Sequence, residues 1–134
     1  MNEIDLGSVD EYIRLFDREP NDLNKKINYF SVELVKRGLS CKAKIYSYEG
    51  DGVIAFFDDI AKNWKGWTGE KNWGSTETQF TISATHNNIG RVNLDIFITP
   101  SVGNNTWSVE GPISLDLGSL DTVAKNISKF IGKT

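Results

Sequence analysis

Residues 51–66, Asp51-Gly52-Val53-Ile54-Ala55-Phe56-Phe57-Asp58-Asp59-Ile60-Ala61-Lys62-Asn63-Trp64-Lys65-Gly66, decide the fold, because the apolar period changes here. Val53, Phe56, Phe57, Ile60, Ala61 and Trp64 recur at i, i+3, i+4, i+7, i+8 and i+11, which lines them along one face of a helix. Asp51 is placed to cap the N-terminus, and Lys62 and Lys65 suit the negative end of the macrodipole. Gly66 supplies the stop.

On both sides of this helix the pattern alternates with a period of two, the mark of half-buried strands. Upstream, a short apolar stretch covers Tyr12 to Asp17. Ile27 to Arg37 follows, with Phe30, Val32 and Leu34 on one face; after the Arg37-Gly38 turn, Leu39, Cys41, Ala43 and Ile45 alternate the same way. Gaps of hairpin size make these strands an antiparallel meander. Downstream, Phe80, Ile82, Ala84 and His86 share a face, Asn87-Asn88-Ile89-Gly90 forms a turn, and Val92, Leu94, Ile96 and Ile98 return. A last strand runs from Trp107 to Leu117 and is interrupted at Gly111-Pro112, so it either lies at a sheet edge or is bulged there. Ser119 to Ile131 is a second helix, with Leu120, Val123, Ala124, Ile127 and Ile131 on its buried face and Gly132 as its stop.

The implied fold class is α+β, with about six antiparallel strands in a βββα-βββα order and both helices packed on one face. A shift of half the chain length carries Val53, Phe56, Phe57, Ile60 and Trp64 onto Leu120, Val123, Ala124, Ile127 and Ile131. The 134 residues therefore read as a single domain of two pseudo-repeats, 1–66 and 67–134.

Composition narrows the function. No apolar run approaches the roughly 18 residues of a membrane span, and the acidic N-terminus lacks the basic start and apolar core of a signal peptide. One cysteine forms no internal disulfide, so a reducing cytoplasmic setting is expected. One cysteine with one histidine makes no zinc site of the usual kind, and neither a metal nor an organic cofactor is expected. The net charge of -3 argues against a nucleic-acid partner. That charge is uneven. Residues 1–22 hold Glu3, Asp5, Asp10, Glu11, Asp17, Glu19 and Asp22 against two arginines, a net of -5. Such a stretch is either a solvated surface or a patch that attracts a basic partner.

Groups for catalysis are sparse. His86 sits at the inward end of a strand, where a hydrogen-bonded structural role outweighs that of a general base. Cys41 lies on an apolar face as an inert thiol. Asp58 and Asp59 are helix neighbours pointing about 100° apart, so they form no carboxylate dyad. No residue is expected to be catalytic. The unusual feature is Trp64-Lys65-Gly66-Trp67-Thr68-Gly69-Glu70-Lys71-Asn72-Trp73-Gly74, which holds three of the four tryptophans. Trp64 belongs to the helix stripe and is expected to lid the core. Trp67 and Trp73 either do the same or stand at the surface as anchors.

The helix, the Trp64-Lys65-Gly66-Trp67-Thr68-Gly69 and Trp73-Gly74-Ser75-Thr76-Glu77 runs, Phe80-Thr81-Ile82-Ser83-Ala84-Thr85-His86 and Gly90-Arg91-Val92-Asn93-Leu94 together resemble a family of small bacterial proteins of unknown function. The resemblance continues to Trp107, Leu115-Asp116-Leu117-Gly118 and the helix at Leu120, and covers about residues 50–132. Such proteins are similar to the immunity proteins of bacterial polymorphic toxin and contact-dependent inhibition systems. That resemblance implies a cytoplasmic protein that binds and blocks a cognate toxin domain, with no catalytic residue to carry over. The expected contacts are Asp10, Glu11, Asp17, Glu19 and Asp22, joined by Asp58, Asp59, Trp67 and Trp73. The alternative is a small-molecule or glycan module with Trp67 and Trp73 lining its pocket; a hydrolase using His86 is a weaker third. A strand edge near Trp107 leaves a homodimer open.

Overall fold

The computed structural model describes residues 2–103 and 105–133. It is α+β, with two helices and two four-stranded antiparallel sheets, so there are eight strands where the sequence suggested six. The first sheet has the order β1 (Glu3–Gly7), β2 (Tyr12–Glu19), β3 (Tyr29–Lys36) and β4 (Leu39–Tyr46). A short 3-10 turn leads into α1 (Val53–Lys62). The second sheet has the order β5 (Glu70–Gly74), β6 (Phe80–His86), β7 (Arg91–Ile98) and β8 (Val109–Asp116), and a second 3-10 turn precedes α2 (Leu120–Ile131). Four strands, a tight turn and a helix thus occur twice in succession.

The two unforeseen strands are the ones with the least apolar content. β1 buries only Ile4 and Leu6 between exposed acids, and β5 buries only Trp73. One or two inward side chains do not establish a period.

Elsewhere the alternation decides the register. Phe30, Val32 and Leu34 of β3 lie opposite Ile45, Ala43 and Cys41 of β4, so inward residues meet inward residues. In the second sheet Ile82, Ala84 and His86 lie opposite Ile96, Leu94 and Val92 in the same way. One apolar cluster joins both sheets and both helices. At its centre Phe30 of β3 meets Phe80 of β6 and Phe130 of α2, each at 6.2 Å and near-perpendicular, the edge-to-face geometry that aromatic quadrupoles favour.

Four local expectations need correction. α1 is capped by Gly52 at φ 78 and not by Asp51. Asp51 instead braces the strand end that follows β5: its carboxylate accepts from the Thr76 backbone N–H at 3.2 Å and from the Thr76 hydroxyl, while its carbonyl accepts from the Trp73 indole at 2.9 Å. Trp64 does not lid the core. The helix stops at Lys62, where Asn63 turns its amide back on the Asp59 carbonyl at 2.8 Å, and Trp64 leaves the stripe with half its surface exposed. Pro112 does not interrupt β8, which is continuous because that strand lies at a sheet edge. Trp107 falls outside it. The edge of β8 passes β1, where a Cβ on Gly7 would meet Ile113 Cγ2 at 3.0 Å.

Candidate interaction surface

All seven acids of the first 22 residues lie on the β1–β2 hairpin or the turn that follows it. The structure spreads them out. Asp10 and Glu11 form the hairpin tip, whereas Asp17, Glu19 and Asp22 lie at the other end of β2, about 24 Å away at ~3.4 Å per residue. Glu3 and Asp5, which the candidate contacts had omitted, complete the ridge on the outward face of β1; the signal for them was the alternation Glu3-Ile4-Asp5-Leu6.

The ridge is only partly neutralised. Arg14 of β2 donates to Asp5 at 2.7 and 3.0 Å and lies 4.0 Å from Glu3 and 3.9 Å from Glu33 of β3. The Asp5 hydrogen bonds, aided by the neighbouring carboxylates, raise the pKa of Arg14 further. Glu11 accepts from the Arg37 backbone N–H at 3.4 Å and pairs with Lys36 at 3.3 Å, and these two contacts lower its pKa. Glu19 pairs with Lys44 at 3.0 Å. Among the described residues no cation pairs with Asp10, Asp17 or Asp22, though the Asp22 carboxylate accepts from the Asn24 backbone N–H at 2.9 Å. Asp10 and Asp17 carry the uncompensated field, whereas Asp22 lies in the field of the Arg18 guanidinium.

Asp58 and Asp59 belong to another part of the molecule. They sit on α1, where Asp59 is ion-paired with Lys71 of β5 at 2.8 Å. The two remaining candidates are separated by burial. Trp73 is 8% exposed, its ring packed against Phe56 and Phe80, so it is not a surface anchor. Trp67 is half-buried, its ring edge-on to His86 at 5.2 Å with the Lys71 ammonium 5.2 Å from its centroid. Among the described residues nothing bonds to the buried Trp67 indole N–H.

The tryptophan loop is built as a latch. His86, 8% exposed, accepts from the Asn88 backbone N–H at Nδ1 (2.8 Å), which leaves Nε2 as the donor to the Trp64 carbonyl (2.8 Å). Both ring nitrogens are therefore engaged in holding the chain beyond α1 against the β6–β7 turn. Gly66 makes the approach possible: its φ is +139, and a Cβ there would lie 2.7 Å from Asn88 Oδ1. Cys41 is partly buried, and burial pushes its thiol pKa up, away from nucleophilic chemistry. Among the described residues no cluster of His, Cys, Asp and Glu is placed to hold a metal ion, and no helix is long and apolar enough to cross a membrane.

Fold and surface define a small α+β protein of two antiparallel meanders, with an acidic hairpin on the flank of the first. The chain belongs to the family of unknown function DUF6228, whose match spans residues 4–134 and so includes that hairpin. No curated protein matches the chain.

Proposed function

We propose that the protein is an immunity protein that binds a cognate bacterial toxin domain and covers its active or substrate-binding surface, acting in the cytoplasm without transforming a substrate itself. The observation that carries this reading is the β1–β2 ridge, a net charge of -5 over residues 1–22 laid along the hairpin and the turn that follows it. A nuclease toxin must present a basic surface to hold phosphates, and an anionic ridge of this length matches such a surface in sign and extent. Long-range attraction then speeds capture, and contacts at the ridge hold the complex. The test is the association rate of the protein with the toxin domain encoded beside it, measured against salt. Changing Asp10, Asp17 and Asp22 together to lysine is expected to slow association about 10-fold or more at low salt, within the range electrostatic steering provides. A rate indifferent to both salt and the triple change refutes the electrostatic reading.

One observation favours the alternative of small-molecule or glycan binding, at a place other than the tryptophan loop. A concavity of about 470 Å³ on the outward side of the second sheet is lined by Trp107, Phe97, Thr78, Thr81 and Thr106. A half-exposed indole beside several threonines suits the apolar face and rim of a sugar ring. Quenching of tryptophan fluorescence by oligosaccharides, lost in Trp107→Ala, separates this reading from the first.

A further inference from the structure

The two sheets have four edges, at β1, β4, β5 and β8. Three are covered. β1 approaches β8 at Gly7 and Ile113, and Lys36 Nζ of β3 donates to the Pro112 carbonyl of β8 at 2.6 Å. β5 is only five residues long and is tied to α1 by the Asp59–Lys71 pair. β4 is eight residues long, and its far half is occupied: the Gln79 side chain accepts from the Tyr46 N–H at 2.8 Å and donates to the Lys44 carbonyl at 3.2 Å. Those two bonds show which backbone groups face outward. In an antiparallel ladder the N–H and C=O of alternate residues share a side, so Ser40 and Lys42 also point away from β3. Among the described residues their backbone groups have no partner.

We infer that the Leu39–Ala43 edge of β4 takes up an extended, acidic segment of a partner protein as an added strand, with the Gln79 amide marking where the pairing ends. Main-chain groups of Ser40 and Lys42 supply the ladder bonds, and side chains supply the selectivity. Residues 36–44, Lys36-Arg37-Gly38-Leu39-Ser40-Cys41-Lys42-Ala43-Lys44, carry four cations and no carboxylate, in a chain of net charge -3. Lys36 and Lys44 are paired with Glu11 and Glu19, while the Lys42 ammonium lies 5.9 Å from the Phe16 ring centroid. Lys42 is exposed on the outward sheet face opposite Glu33, its ammonium over β2; in no ion pair among the described residues, it swings to the edge to meet an acidic side chain of the incoming strand. Leu39, 39% exposed, and the partly buried Cys41 offer apolar contact on the other. A second copy of the chain is the wrong occupant, because antiparallel self-pairing centred on Lys42 sets that lysine against itself. The site lies at the opposite flank of the sheet from the β1–β2 ridge and stands whether or not that ridge binds a toxin.

The probe is an eight-residue peptide alternating glutamate and valine, with a lysine–valine peptide as its counterpart, titrated into the 15N-labelled full chain. The expected result is that the glutamate peptide shifts and protects the amides of residues 39–43 and the lysine peptide does neither. Lys42→Glu, which keeps the backbone donor, is expected to weaken binding tenfold or more. Lys42→Pro, which removes the outward N–H, is expected to abolish it. Shifts mapping elsewhere, equal binding of both peptides, or no binding of the glutamate peptide at millimolar concentration would overturn the inference. So would dimerisation of the free protein through residues 39–43.

Discussion

Arg18 gives the sharpest test of how the first half is locked to the second. The guanidinium is 6% exposed, and every one of its N–H groups is directed at a backbone carbonyl. Nε and Nη2 both donate to Ile131 O, at 2.9 and 2.7 Å; Nη2 also donates to Lys25 O at 2.6 Å; Nη1 donates to Pro20 O and, at 3.1 Å, to Asp22 O. The side chain thus caps the C-terminus of α2 and folds the 20–25 turn around itself. Burial lowers the Arg18 pKa, with Asp22 opposing. In Arg18→Met the Ile131 carbonyl loses both donors where water does not readily replace them, which costs about 1–3 kcal/mol. The favourable position of a cation at a helix C-terminus is lost as well, about 0.3–2 kcal/mol. The exposed-side carbonyls of the turn rehydrate, so a net loss of about 3 kcal/mol is expected. For a chain of 134 residues an unfolding entropy of about 0.28 kcal/mol/K makes this a fall in Tm of about 10 °C. Arg18→Lys, with a point charge in place of a fork, is expected to fall between the two. Calorimetry on the three proteins checks the order, and hydrogen exchange at Lys133, whose N–H donates to Leu23 O at 3.0 Å, reports the same lock locally. If Arg18→Met melts within about 2 °C of the parent, the guanidinium is not the lock.

Two further changes probe the latch and the ridge. Gly66→Ala, with φ at +139 and a Cβ 2.7 Å from Asn88 Oδ1, is expected to lose about 1–3 kcal/mol. Asn88→Gly in the same chain recovers part of that loss, and a double-mutant cycle by urea unfolding measures the recovery. The pH dependence follows Glu11. Its pKa is lowered from 4.5 in the folded state by the Arg37 N–H and then by Lys36, so its contribution is present above the unfolded pKa and disappears as pH falls through the folded one. The stability gap between the parent and Glu11→Gln is therefore expected at neutral pH and closes below about pH 4; pH-resolved denaturation shows it, and a gap that widens in acid contradicts the sign.

Much of the fold is legible in the sequence because the burial of this chain is regular. β3, β4, β6 and β7 alternate along most of their length, and the apolar stripe from Val53 to Ala61 is buried as drawn. What fails does so for local reasons. β1 and β5 contribute too few inward side chains to set a period, and Trp64 fits the helical spacing although the helix has already ended. The surface is harder to read than the core. Sequence adjacency grouped Asp10 and Glu11 with Asp17, Glu19 and Asp22, but an extended strand carries its two ends far apart. The tryptophans looked like one feature; tertiary packing buried Trp73, half-buried Trp67 and left Trp64 outside. No pattern in the sequence announced Arg18 or Gln79, because their partners are main-chain carbonyls and amides, with Ile131, Tyr46 and Lys44 far along the chain.

The central claim is that this chain neutralises a toxin by covering it with the β1–β2 ridge. Its most direct test is to produce the neighbouring toxin domain in growing cells with the parent protein or with the Asp10, Asp17 and Asp22 triple-lysine variant, after calorimetry has shown that both fold alike. Growth restored by the parent, through a one-to-one complex, and not by the variant is the predicted result. Arrest that persists with the parent, or equal rescue by both proteins, would contradict the claim.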